Sequence, residues 1–251
     1  MTSQSSRKFL RTLGQGSAIA ALYTSCALIM NESAMAGLAF NPPGGGAPQG
    51  TRGGASRGDM CIQNPTLPSP QQFMVLTPTD SNYGLTLKER PQFFAYVPST
   101  SARQAFFSLR DENGGVIYQT RFAIARSGGI IQLSLPQSVP ALEVGKSYQW
   151  GIAILCSDKL RADSPFVSAW IKRTQPTEKL VEQLKQPPSL EQAKLYGTSG
   201  IWYDTLTVLA ELKLKQANNA SLADAWKDLL GTVGLGEVAS EPMVGRVSLT
   251  N

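Results

Sequence analysis

The residues of this chain that could do chemistry are few, and histidine is not among them: the 251 residues contain none. Without an imidazole there is no Ser-His-Asp or Cys-His nucleophile, no ordinary general base near neutral pH and no usual zinc ligand. Carboxylates remain. Asp204, in the run Gly200-Ile201-Trp202-Tyr203-Asp204, is the most conspicuous, and a pair of such acids is the machinery of glycan hydrolysis. Nothing in the spacing sets a second carboxylate opposite it. The plainer reading is a solvated helix residue or one that bonds a neighbouring backbone group, with Trp202, Tyr203 and Asp204 together as a candidate interaction surface. Asp111, Glu112 and Asn113 are oxygen ligands in type, but they lie in a hairpin turn and lack the spacing of a calcium loop. Asn219-Ala220-Ser221 spells a glycosylation acceptor and reads better as a loop followed by Ser221 as helix cap. No catalytic residue, metal ligand or cofactor site is assigned.

The cysteines point to a compartment. Arg7, Lys8 and Arg11 precede the uncharged stretch Ser17–Met30, and Ala34-Met35-Ala36 follows with small residues at alternate positions. That is the pattern of a signal peptide over residues 1–36, with cleavage before Gly37. The apolar run is too short for a spanning helix, so no transmembrane helix is expected in the mature chain. Lipid attachment at Cys26 is the alternative, though the expected leucine three residues ahead of it is missing. Removing the leader leaves two cysteines, Cys61 and Cys156, in a chain bound for an oxidising compartment, and a disulfide between them is the natural reading. Its loop of almost a hundred residues would constrain the unfolded chain by about 4 kcal/mol.

The formal charge is +5, and without the leader 20 basic residues stand against 17 acidic ones. A balance of +3 is too small to indicate nucleic-acid binding. With 42% hydrophobic residues the chain can bury a sizeable core.

These residues must be positioned by elements of two kinds. Residues 37–60, rich in glycine, proline and arginine, read as a flexible tether; its Arg52-Gly53-Gly54 and Arg57-Gly58-Asp59 tripeptides read as chance. From 61 to 175 short β-branched and aromatic runs recur between turn residues. They predict seven strands, at 73–77, 92–98, 103–111, 115–124, 129–136, 146–156 and 166–173. Asn113-Gly114 signals a tight hairpin between the third and fourth. In the sixth, Tyr148, Trp150, Ile152, Ile154 and Cys156 alternate onto one face, which should be core. The fold expected is α+β: an antiparallel, immunoglobulin-like β-sandwich followed by a small helical segment, 176–240, packed on it, and a tail, 241–251. The helical signals are a short helix ending before Pro187-Pro188, Ser189 with Gln192 as a capping box, a helix from about Trp202 to Lys215, and a stripe at Leu222, Ala225, Trp226, Leu229, Leu230 and Val233. Leu222, Trp226, Leu229 and Val233 are expected to dock on the sandwich, since an apolar stripe is seldom left bare.

Several of these stretches together resemble a cyanobacterial family of exported proteins, the domain-of-unknown-function family 928. They are the glycine- and arginine-rich run Arg52-Gly53-Gly54 to Cys61, the strand PQFFAYVP, the strand from Tyr148-Gln149-Trp150 to Cys156, and Gly200-Ile201-Trp202-Tyr203-Asp204. The resemblance implies an envelope protein, exported to the periplasm or beyond, with a leaning toward partner binding; it implies no activity or catalytic residue. Two functional classes follow. The first is a noncatalytic module binding an envelope protein or a surface polymer. The second is a carboxylate-based polysaccharide or peptidoglycan hydrolase.

Overall fold

Where β-branched and aromatic residues cluster, strands form, and a computed structural model describes them within residues 37–44, 61–62, 72–185 and 187–250. In chain order the strands are β1 (Met74–Val75), β2 (Tyr83–Thr86), β3 (Gln92–Val97), β4 (Gln104–Asp111), β5 (Val116–Ala123), β6 (Gly129–Ser134), β7 (Ser147–Leu155), β8 (Phe166–Arg173) and β9 (Met243–Ser248). Helices α1 (Glu178–Gln183), α2 (Leu190–Thr198), α3 (Trp202–Lys215) and α4 (Ala220–Thr232) precede a 3-10 turn at Gly236–Val238. The chain divides into two units, Met1–Met35 and Ala36–Asn251. The expected leader, its cleavage motif and Cys26 lie outside the described residues, as do both arginine-glycine tripeptides.

All seven expected strands are present, and they are arranged in two antiparallel-rich sheets. One has the order β1-β3-β6-β9 and the other β2-β8-β7-β4-β5. The two strands not foreseen, β2 and β9, are the edge strands that pair in parallel, β2 with β8 and β9 with β6. The segment expected as a tail is thus a strand, and Leu249 just beyond it is fully buried. The hairpin between β4 and β5 also differs in detail. Only Gly114 takes a positive φ, +84°, because Asp111 Oδ1 accepts from the N–H groups of Asn113 (2.9 Å) and Gly115 (2.7 Å) and shapes the turn itself.

Alternation along β7 buries Tyr148, Trp150, Ile152 and Ile154 as expected. Trp150 meets the other sheet through Phe93 of β3, ring centroids 4.9 Å apart, and Phe93 also meets Phe107 of β4 at 5.4 Å. Offset and tilted contacts of this kind add to plain burial.

The helices share this core. Thr177 and Ser189 cap α1 and α2 through their side chains, accepting from Leu180 N and Gln192 N. Asn219, and not Ser221, caps α4, accepting from Leu222 N, because the helix begins two residues earlier than the apolar stripe alone suggests. That stripe is buried at Leu222, Trp226, Leu229 and Val233. Its principal neighbours are α3 and the 3-10 turn, while α3 in turn lies on β2 and β3. α3 therefore stands between the last helix and the strands.

Residues 37–44 do not behave as a tether. Leu38 and Phe40 are buried, Asn41 N–H donates to Gly197 O at 3.0 Å, and the Phe40 ring stands edge-on to Trp202 at 4.9 Å. Two apolar side chains in a short run were enough to dock it against α2 and α3. Residues 45–60 lie outside the described residues.

Candidate functional site

The first turn of α3 carries the three residues expected at an exposed surface, and all three are interior. Trp202 is inaccessible, Tyr203 is 1% exposed and Asp204 2%. Each is tied to a different strand region. Trp202 Nε1 donates to Leu76 O at 2.8 Å. Trp150 Nε1 donates to the Tyr203 hydroxyl at 2.7 Å, and that hydroxyl donates to Trp170 O at 3.2 Å. Asp204 Oδ2 accepts from Thr86 Oγ1 (2.7 Å) and Leu87 N–H (3.1 Å). The physical reason for the difference is β2. Its Gly84 lets the strand lie against α3 so closely that a Cβ there would come within 2.9 Å of both Trp202 and Tyr203. A helix covered by β2 on one side and by the 37–44 segment on another has no outer face in its first turn.

Asp204 nonetheless borders open space. Together with Tyr203 it lines a cleft of ≈ 550 Å³ between the β2–β3 loop and helices α1 to α3. Thr86 and Lys88 contribute from the loop, Tyr196 from α2, and Glu211 from two turns further along α3. Arg90 also lies at the cleft, but its guanidinium is held by Gln137 Oε1 (3.0 Å), Val139 O (2.6 Å) and Gln137 O (3.2 Å).

The electrostatics of the cleft centre on Asp204. Burial pushes its carboxyl above the ordinary 3.8, against the opposing pull of the Thr86 and Leu87 donors and of Lys88. The start of a helix also favours a negative group there. Oδ1, unlike Oδ2, is buried with no hydrogen-bond partner. Tyr196 is pushed up to about 12, first by burial and then by the charge of Asp204. One oxygen of this carboxyl is thus committed to the fold, and the other is buried without a protein donor.

Sequence reasoning singled out Asp204 but missed Thr86, Lys88, Tyr196 and Glu211. For Thr86 and Lys88 there was no signal, since β2 has no alternating pattern. Glu211 could have been found: it stands seven residues after Asp204, two helical turns on and close to the same face.

The expected cystine is present. Cys61 and Cys156 are bonded at 2.00 Å, 95 residues apart in sequence. Thr100 Oγ1 and Ser101 N–H donate to Cys61 O at 2.7 and 2.9 Å. The bridge thus ties residues 61–62 to the β3–β4 loop and the end of β7.

A family model described as Domain of Unknown Function (DUF928) matches residues 52–243. The chain belongs to that family. The match takes in both cysteines, strands β1 to β8 with only the first residue of β9, and the whole cleft. No curated protein matches the chain. Among solved structures, the chain is similar to the CARDB domain of the PF1109 protein of Pyrococcus furiosus, crystallised in complex with di-metal ions. The identity is 7% and the TM-score 0.26, with 41% of this chain and 92% of that one covered. Among the described residues, no helix is long and apolar enough to cross a membrane.

Proposed function

We propose that this chain is an exported protein of a cyanobacterial envelope that acts as a noncatalytic binding module, with its two sheets forming an immunoglobulin-like sandwich that carries the helical cleft. The cystine fits an oxidising compartment, and the leader pattern of residues 1–36 supplies the route there. Its ligand class is a surface polymer or a protein partner of the envelope.

The observation that carries the reading is the placement of the cleft's carboxylates. Asp204 and Glu211 are the two that line it among the described residues. Both stand on α3 seven residues apart, a rise of roughly 10 Å along one helix face. Hydrolysis of a glycosidic bond needs two carboxyl groups that flank the bond from opposite sides. Two acids in file on one helix, one of them fixed through Oδ2 to Thr86 and Leu87, line a ligand from one side only. That arrangement favours holding over cutting.

A zymogram on cell-wall and glucan substrates tests this. The expected result is no clearing by the purified protein. Clearing that disappears in Asp204→Asn would favour the carboxylate hydrolase instead.

A further inference from the structure

We infer that the outer face of the five-stranded sheet binds an acidic polysaccharide, one whose sugar units carry carboxylates. The inference rests on the binding-module reading, narrows its polymer to a chemical class and gives that polymer a surface apart from the cleft. Alternation along β4, β7 and β8 sends Phe107, Ile152 and Ala169 into the core, where none is accessible. The residues between them face outward. The register sets Phe106 beside Ala153 and Ala153 beside Phe166; four residues along each strand it sets Arg110 beside Gln149 and Gln149 beside Trp170. Three aromatic side chains and a guanidinium therefore mark the corners of a patch about 10 Å across the strands and about 13 Å along them. Between the corners Ser108, Gly151 and Ser168 form a low floor. The Phe166 ring lies over it, since a Cβ at Gly151 would stand 2.7 Å from the ring's Cε2 and Cζ. Phe166 is 39% exposed, and Phe106 and Trp170 are half-buried, so ring surface is open to a ligand.

Two features select the occupant. Rings beside side-chain hydroxyls and amides suit a sugar, whose C–H groups meet the electron-rich ring face while its hydroxyls meet the polar groups. Gln149 stands inside the patch, and Gln119 of β5 borders it, its Nε2 donating to Ser108 Oγ at 3.2 Å. Charge then selects among sugars. Arg110, Arg121 and Lys172 share this face by register. The five strands of the sheet hold a single carboxylate, Asp111, and its Oδ1 is taken by the β4–β5 turn. Arg110 and Arg121 each give an N–H to a backbone oxygen, Gly114 O at 3.1 Å and Asp158 O at 3.0 Å, which leaves further guanidinium donors on both. Scattered apolar residues on a surface need no explanation, but these three rings share one face with three cations and no facing acid. A neutral sugar leaves those cations unanswered, and a cationic one is repelled.

Isothermal titration of the full exported chain with trigalacturonate tests the surface, with cellotriose as the neutral arm and poly-glutamate as a polyanion without sugar rings. Trigalacturonate should bind saturably, more tightly than either, and more weakly as salt is raised. Phe166→Ala should weaken that binding by about tenfold. Arg121→Gln, at an exposed side chain, should weaken it by a few-fold and carries the test if Phe166→Ala does not fold. Lys215→Gln, which removes an equal charge from the exposed end of α3, should leave it unchanged. Binding that is equal in the wild type and both face variants, or that is as tight for cellotriose or poly-glutamate, overturns the assignment. If nothing binds, the polysaccharide surface falls while a protein-binding module stands. If the trimer binds and is recovered shortened, the surface stands and the noncatalytic reading falls.

Discussion

Asp204 shows at the scale of one residue how the fold and the cleft share a side chain. Its Oδ2 anchors the start of the β2–β3 loop through Thr86 and Leu87, its Oδ1 is buried without a partner, and the residue borders the cleft. Because burial raises its pKa above 3.8, the folded chain holds this proton more tightly than the unfolded chain does. Between 3.8 and the raised folded value the folded state binds more protons, so this group's contribution to stability falls as pH rises through that window. Asparagine does not titrate. Urea unfolding of the wild type and Asp204→Asn across a pH series should therefore show the wild type at its relative best below pH 3.8 and losing ground as pH rises. A difference independent of pH would mean that burial does not govern this carboxyl. The sequence made Asp204 conspicuous through its aromatic neighbours and misjudged its exposure. An aromatic pair beside an acid suits a binding surface and a buried helix start equally well, and what decides between them is the strand that covers it.

At the scale of elements, legibility followed the strength of the local pattern. The seven strands with β-branched and aromatic runs could be read, as could Ser189 as the cap of α2, since each of these signals is contained in a few consecutive residues. β2 and β9 could not. Tyr83-Gly84-Leu85-Thr86 and Met243–Ser248 are edge strands whose pairing is parallel and distant in sequence, and no short window reports such a partner. Residues 37–44 were obscured in the same way, by the prolines and glycines beside them. Phe40 makes their role measurable. It is 7% exposed and stands against Trp202. Phe40→Ala should cost about 3–5 kcal/mol in urea unfolding if the site cannot collapse around the cavity. A change within about 0.5 kcal/mol, the range of ordinary surface substitutions, would return this segment to the tether first read there.

The whole molecule joins these pieces through one core. Phe93 and Trp150 of the two sheets meet Tyr203 of α3 at 6.1 and 6.4 Å, and Trp202 beside it meets Phe40. The helices are therefore part of the body that holds the cleft, which is built from the β2–β3 loop on one side and α1 to α3 on the other. If the molecule is a module for holding an acidic envelope polysaccharide, contact with that polymer should be felt on the outer face of the five-stranded sheet, which this core leaves open at Phe166 and Arg121. Chemical-shift mapping of the exported chain on addition of purified envelope polysaccharide tests this most directly. The expected result is a set of perturbed amides in β4, β5, β7 and β8, with the polymer unchanged in length. Shifts confined to the lining of the cleft, or a polymer that shortens during the titration, would contradict it.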